Sequence, residues 1–396
     1  MTQLPKKHLF HLPEGLIYLD GNSLGPIPKS AAKSVESMMV NEWGEMLIRG
    51  WNAAGWMNQP AVLGDQIGAL IGAAPGSTML GDTLSIKVYQ ALAAALDMRP
   101  DRRVILSDTG NFPTDLYMAE GLVRALDRGH TIRTVDPTEV LQNIDGDTAV
   151  VMLTHVDYRT GRLHDMAAIT QAAHDAGAVV IWDLAHTAGA LPVNLTEIGC
   201  EFAVGCTYKY LNGGPGAPAF ITVRPDLIDS IQPALSGWLG HEAPFAFDLD
   251  YRPGAAMERM RVGTPPVIQM AALAEAMKVW DGVDMADIRT ACISLSERFI
   301  AGVEENCPDL TLASPRDPSQ RGSQVSFAFE HGYAAMQALI ADGVIGDFRA
   351  PNLMRFGFTP LFLDEADIDE AVARLAHVMT SKKYENSQFQ TKSRVT

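Results

Sequence analysis

The sequence is short of positive charge, sparing of cysteine and free of long apolar runs. Its 31 lysines and arginines are outweighed by 47 aspartates and glutamates, a formal charge of -16. Polyphosphates are bound by basic surfaces that release counterions, so this balance argues against nucleic acid or an anionic membrane as partner. No apolar stretch approaches the roughly 20 residues that cross a bilayer. The opening MTQLPKKHLFHLPEGLIYL holds two lysines but neither a long apolar core nor a small-residue cleavage site, so it does not read as a secretory signal. Cys200, Cys206, Cys292 and Cys307 show neither zinc-type spacing nor a redox CxxC pair. The expectation is four small buried hydrophobes in a reducing cytoplasm, with no metal site. Internal repeats and low-complexity linkers are also absent.

What is present is the composition of a globular protein: 47% hydrophobic and 20% charged over 396 residues, a length that suggests two domains. Between about Arg103 and Arg224, apolar β-rich runs alternate with helical patterns. Strands are expected at Val104–Ser107, Ala149–Thr154, Ala178–Asp183, Phe202–Thr207 and Ala219–Val223, with helices near Asp115–Arg128 and Met166–Ala176. Such alternation predicts an α/β fold with a mostly parallel sheet, whose ligands sit at the carboxyl ends of the strands. After about Arg261 the pattern predicts a smaller α+β unit: helices near Ser294–Asn306, Tyr333–Asp342 and Ala366–Met379, strands at Gln324–Phe329 and Met354–Phe358.

One stretch concentrates chemistry. In AVVIWDLAHTAG, Asp183 ends a buried strand and His186 follows; in FAVGCTYKYLNGGPG, Lys209 lies among apolar and aromatic neighbours beside Tyr208. Desolvation lowers a lysine's pKa and makes the amine a nucleophile for carbonyls. Alone, such a lysine more often snorkels to water, and Asp183 could equally be a turn carboxylate. Together they suggest a pyridoxal phosphate site, which needs an amine for the aldehyde, a carboxylate for the pyridinium nitrogen, a phosphate cradle and a flat group on the ring. GDTLSIKVYQALAAAL places Gly81, Asp82, Thr83 and Ser85 just ahead of a helical pattern, where helix N-terminal amides and hydroxyls could cradle phosphate or simply cap the helix. Phe112, in TGNFPTDLY, could stack on a ring, with Asp115 supporting the site or starting a helix. A lone Phe is usually core, and a lone His usually structural.

Several motifs together, YLDGNSLGP (Tyr18–Pro26), NFPTDLY (Asn111–Tyr117), WDLAHTAGALPV (Trp182–Val193), TYKYLNGGPG, SGWLGH (Ser236–His241) and RVGTPP (Arg261–Pro266), resemble the kynureninase family. This is a group of fold-type I pyridoxal phosphate enzymes akin to class V aminotransferases, and the likeness covers nearly the whole chain. The resemblance implies a transferase-like α/β fold with an N-terminal segment (1–45) packing with the small domain, a large cofactor domain (46–260) and a small C-terminal domain (261–380); the tail beyond it (381–396), outside the likeness, is polar and aperiodic and is expected to be disordered. It implies a cytoplasmic homodimer, a small amino-acid substrate, and hydrolysis of the Cβ–Cγ bond of L-kynurenine or its 3-hydroxy derivative, a step of tryptophan catabolism.

By the same resemblance, Lys209 carries the cofactor, Asp183 pairs with its ring nitrogen, and Tyr208 is an acid/base partner. Leu84, Ser85, Phe112, Asp115, Thr154 and His186 line the cofactor, with Trp238 and Thr264 contributed across a dimer interface. Ser23, Trp51, Thr264 and Arg355 are expected at the substrate, Arg355 clamping the α-carboxylate in the planar, bidentate manner that suits a guanidinium. Arg349 is the weaker alternative. Trp51 with Thr264 suggests a preference for kynurenine over its 3-hydroxy form, since an apolar ring offers no acceptor for the extra hydroxyl. Competing readings are an aminotransferase sharing Lys209 and Asp183, a cysteine desulfurase, or a non-catalytic cofactor-binding protein.

Overall fold

The computed structural model describes residues 2–391 and contains three sheets. The largest has seven strands in the order Thr78–Leu80, Phe220–Val223, Phe202–Gly205, Val179–Asp183, Thr148–Thr154, Val104–Asp108 and Thr131–Val135. The five strands from Phe202 to the Thr131 edge pair in parallel, and the two at the other edge are antiparallel. Strands Thr148–Thr154 and Val179–Asp183 are buried at every residue. This is why their sequences read as unbroken apolar runs rather than alternating ones: helices cover both faces. Phe202–Gly205 is shorter than the expected Phe202–Thr207, because the chain must turn to present Tyr208 and Lys209.

The smaller antiparallel sheet runs Asp347–Arg349, Leu353–Gly357, Gln324–Ala328, Thr311–Leu312. Helices Met285–Asn306, Gly332–Ala341 and Glu365–Thr380 accompany it. The first begins nine residues before the expected Ser294, capped by Asp284, whose side chain accepts from the Ala286 amide. Asp364 and Asp367 form a reciprocal capping box on the last helix. A third, two-stranded sheet pairs Ile17–Tyr18 with Val344–Ile345, tying the N-terminal segment to the C-terminal half.

The expected disordered tail is corrected over its described part. Two 3-10 turns, Lys383–Glu385 and Ser387–Phe389, bury Tyr384 and Phe389, and the Tyr384 ring stacks on His331. Two aromatics in sixteen residues suffice to anchor a segment whose overall composition is polar. Residues 392–396 of that tail lie outside the described residues. Among the described residues, no helix is long and apolar enough to cross a membrane.

Candidate active site

The carboxyl ends of the parallel strands converge on Lys209. Val179–Asp183 delivers Asp183 and, in the turn beyond, His186; the loop after Phe202–Gly205 delivers Tyr208 and Lys209. Thr154 ends the neighbouring strand as the register partner of Asp183. Phe112 caps the helix Pro113–Leu126 that follows Val104–Asp108, which puts Asp115 in its first turn. Lys209 Nζ lies 3.0 Å from His186 Nε2 and 5.9 Å from the ring centroids of both Phe112 and Tyr208. Phe112 is 39% exposed despite its place in an otherwise buried cluster, and the Tyr158 ring lies edge-on to it at 5.2 Å.

Asp183 and Asp115 form a buried carboxyl pair. Burial pushes Asp183 up to about 6, against the opposing pull of Lys209, the Ala185 amide at 2.8 Å, Asp115 and Thr154. Burial, and then the Asp183 charge, push Asp115 well above the usual carboxylate range; apart from Asp183, neither Asp115 oxygen has a hydrogen-bond partner. His186 is also buried, and desolvation followed by the Lys209 charge holds its pKa well down, so the ring is neutral. Buried polar groups without partners are rare and mark places where a ligand completes the structure.

These features fit pyridoxal phosphate. The carboxyl pair lacks a cation of its own beyond Lys209, which a protonated ring nitrogen would supply. The exposed Phe112 face is free for a flat ring. At the helix Leu84–Asp97 the N-cap Thr83 makes no side-chain capping bond, and Leu84 and Ser85 are partly exposed, leaving first-turn amides open to an anion.

Sequence reasoning missed Asn111, which sets both Phe112 and Thr154. Its Oδ1 accepts from the Phe112 amide at 2.8 Å and from the Thr154 hydroxyl, while its Nδ2 donates to Ser107 Oγ at 2.9 Å. Its position directly before Phe112 in NFP was the available signal.

A second cluster surrounds Arg355, buried at 1% exposure on the strand Leu353–Gly357. Its Nε donates to Asp347 Oδ1 at 2.7 Å, its Nη2 to Asp347 Oδ2 and to Ser23 Oγ at 2.8 Å, and its Nη1 to the Tyr158 carbonyl at 2.5 Å. Four of a guanidinium's five N–H groups are thus engaged, one remaining on Nη1. Arg349, the weaker candidate, also pairs with Asp347, at 2.9 Å. Asp347 was not foreseen, nor was Asp20, whose carboxyl is pushed up to about 7 by burial and by the Asp347 charge.

Three expected residues lie elsewhere in the chain. Trp51 and the exposed Thr264 share a surface hollow with Met38, Trp43, Trp56 and Pro266, and no residue of the Lys209 cluster lines it. Trp238 is 41% exposed, edge-on to Phe245 at 5.8 Å. Trp43, Leu47, Ile48, Phe245, Phe247 and Leu249 are also exposed. All four cysteines are buried and unpaired, so none of them offers the mobile thiol that desulfuration would need; burial pushes the Cys292 thiol up, away from thiolate.

Comparison with known proteins bears on this geometry. Residues 288–375 match a family described as the kynureninase C-terminal domain, and residues 87–199 match the DegT/DnrJ/EryC1/StrS aminotransferase family. The chain is 48% identical to the kynureninase of Pseudomonas fluorescens over 399 aligned residues, 99% of this chain and 96% of that one. Among solved structures, a cysteine desulfurase from Thermococcus onnurineus NA1 superposes with a TM-score of 0.81 at 17% identity, covering 96% of this chain and 99% of that one. A C-DES variant with glycine covalently linked to its pyridoxal phosphate superposes equally well, at 18% identity over 94% of this chain and 99% of its own. At these identities the two structures speak for the fold alone.

Proposed function

Because the chain belongs to the kynureninase family, we propose that its Lys209 site performs the reaction for which that family is named: hydrolysis of the Cβ–Cγ bond of L-kynurenine to anthranilate and L-alanine, with pyridoxal phosphate as cofactor. The observation that carries this reading is the juxtaposition of Lys209 and His186, 3.0 Å apart, with a buried carboxyl pair on which Lys209 acts as the cation.

Lys209 would hold the cofactor aldehyde, Leu84 and Ser85 the phosphate, Phe112 one ring face and Asp183 the ring nitrogen, with Asp115 and Thr154 orienting Asp183. Bound there, pyridoxal phosphate supplies an electron sink for charge developing at the substrate's α- and β-carbons. The remaining Nη1 N–H of Arg355 would receive the α-carboxylate, a single donor where a bidentate pair was expected, while Ser23 accepts from Arg355 Nη2 and donates to Asp347. Lys209, its amine free once substrate is bound, would take the proton from Cα and return it there before alanine leaves. Water adds to the γ-carbonyl carbon and the Cβ–Cγ bond breaks, its electron pair going to Cβ, which gains a proton and leaves as alanine. Tyr208 is suited to give and take the proton at the γ-oxygen: the neighbouring Cys206 and burial push its pKa up, so the hydroxyl keeps its proton until one is required.

A homodimer is the natural complement. Trp51 and Thr264 share a surface hollow that no residue of their own chain's lysine cluster lines, and Trp238 is exposed; this supports their serving a partner's site and, through Trp51, stacking on the substrate's aromatic ring. Four buried, unpaired thiols support a reducing, cytoplasmic setting.

The test is to incubate cofactor-loaded protein with L-kynurenine and quantify anthranilate and alanine together, beside Lys209→Ala. Equimolar products from the wild type, falling by about a thousandfold or more in the variant, are expected for loss of a covalent nucleophile that is also the base. Glutamate-dependent amino transfer without cleavage would replace this reading with an aminotransferase.

A further inference from the structure

The helix that opens with Leu84 and Ser85 carries a lysine with no solvent exposure. Lys87 spends all three of its N–H donors inside the protein: Asp82 Oδ2 at 3.2 Å, Gln90 Oε1 at 2.9 Å and the Met260 carbonyl at 3.3 Å. Gln90 Nε2 donates to the same carbonyl at 3.2 Å. Burying an ammonium is costly unless its donors are matched, and here the matching fixes two separate pieces of chain.

The first piece is the turn leading into the helix. Asp82 has φ of 56°, a left-handed conformation that a non-glycine residue holds only when its surroundings impose it. The constraint has two sources: the Gly81 amide and Asp82 carbonyl bond to Ala219 at 2.9 and 3.0 Å, and Lys87 holds the Asp82 carboxylate. This turn sets the direction in which the amides of Leu84 and Ser85 point. The second piece is Ala256–Met260, which leads directly into the segment carrying Thr264.

We propose that Lys87 is a positioning residue for the cofactor's phosphate: without touching the ligand, it locks the Gly81–Ser85 turn in its anion-binding conformation and ties it to the Met260–Thr264 segment. This rests on reading Leu84 and Ser85 as the phosphate site. A lysine whose role was only to stabilise the core would affect all ligands of the site equally. One that shapes the phosphate cradle affects only those bearing the phosphate.

The experiment compares equilibrium binding of pyridoxal phosphate and of pyridoxal, which lacks the phosphate, to cofactor-stripped protein, followed by the absorbance of the bound ligand. Variants are Lys87→Met, Asp82→Asn and Ser85→Ala, each checked for thermal unfolding. Lys87→Met is expected to weaken pyridoxal phosphate at least tenfold and to leave pyridoxal within twofold. Asp82→Asn, a change at a partly exposed position that keeps the core intact, is expected to act in the same direction and serves alone if Lys87→Met does not fold. An unchanged ratio of the two affinities in these variants, with Ser85→Ala losing its preference for the phosphate, overturns the role of Lys87 alone. Ser85→Ala retaining full preference overturns the placement of the phosphate, and the inference with it.

Discussion

The two ends of the site each contain a pair of buried carboxyl groups, and they are treated differently. At one end Asp347 lies beside Asp20, but Arg355 and Arg349 both bond to Asp347 and hold it below the usual range, leaving Asp20 as the member pushed up to about 7. At the other end Asp183 lies beside Asp115 with Lys209 as the one cation acting on both, and both are raised. The arginine end is therefore assembled by the protein itself, its donors nearly all matched. The lysine end leaves Asp115 without a partner beyond Asp183. One end is built to receive an anion of modest size by a final adjustment, the other to be completed by a cationic, flat group.

The largest effect should come from breaking the matched end. Arg355→Lys replaces a planar fork by a point charge and leaves Asp347 poorly paired, so KM for L-kynurenine should rise about a hundredfold, in line with the few kcal/mol lost when a buried charge pair is broken. The absorbance of bound cofactor should be unchanged, which steady-state kinetics and a spectrum together would check.

Asp115→Asn probes the unmatched end in cofactor-stripped protein. Asp183 and Asp115 bind protons more tightly when folded than when unfolded, so both lower stability as pH rises above about 4, Asp183 through about 6 and Asp115 with its pKa raised well above the usual carboxylate range. In Asp115→Asn this fall should be shallower, read as the difference between the two proteins' unfolding free energies at pH 4 and pH 7. Adding pyridoxal phosphate should narrow the difference by supplying the missing cation.

The smallest effect concerns the exposed surface that neither end includes. Trp51→His adds a hydrogen-bonding group and should shift the kcat/KM ratio toward 3-hydroxykynurenine by about tenfold, measured with the two substrates in parallel. Equal kcat/KM for both substrates in the wild type would remove Trp51 as the source of preference.

The lysine end was legible because its residues sit at strand ends and first turns, positions that local apolar patterning locates. Asp183 ends a run that reads as a buried strand, Phe112 opens a helix, and Lys209 follows shortly after another such strand. The arginine end was only half legible. Arg355 and Ser23 were expected at the substrate from the family resemblance, but Asp347 and Asp20 join them through contacts between the chain's two ends, as in the 2.6 Å bond from Ser23 Oγ to Asp347. No local pattern encodes such a pairing, and it depends on the N-terminal strand lying beside Val344–Ile345. Lys87 escaped notice for another reason: in IKVYQALAAAL it reads as an ordinary polar position on a helix, and its burial follows from the Met260 carbonyl reaching it from far along the chain.

The most direct test of the account is to load the protein with pyridoxal phosphate, reduce it with borohydride so that the carbonyl–amine linkage becomes permanent, and map the labelled peptide. The account predicts one phosphopyridoxyl group per chain, on Lys209 within the TYKYLNGG stretch. Label on Lys87 or any other lysine, with Lys209 unmodified, would contradict it.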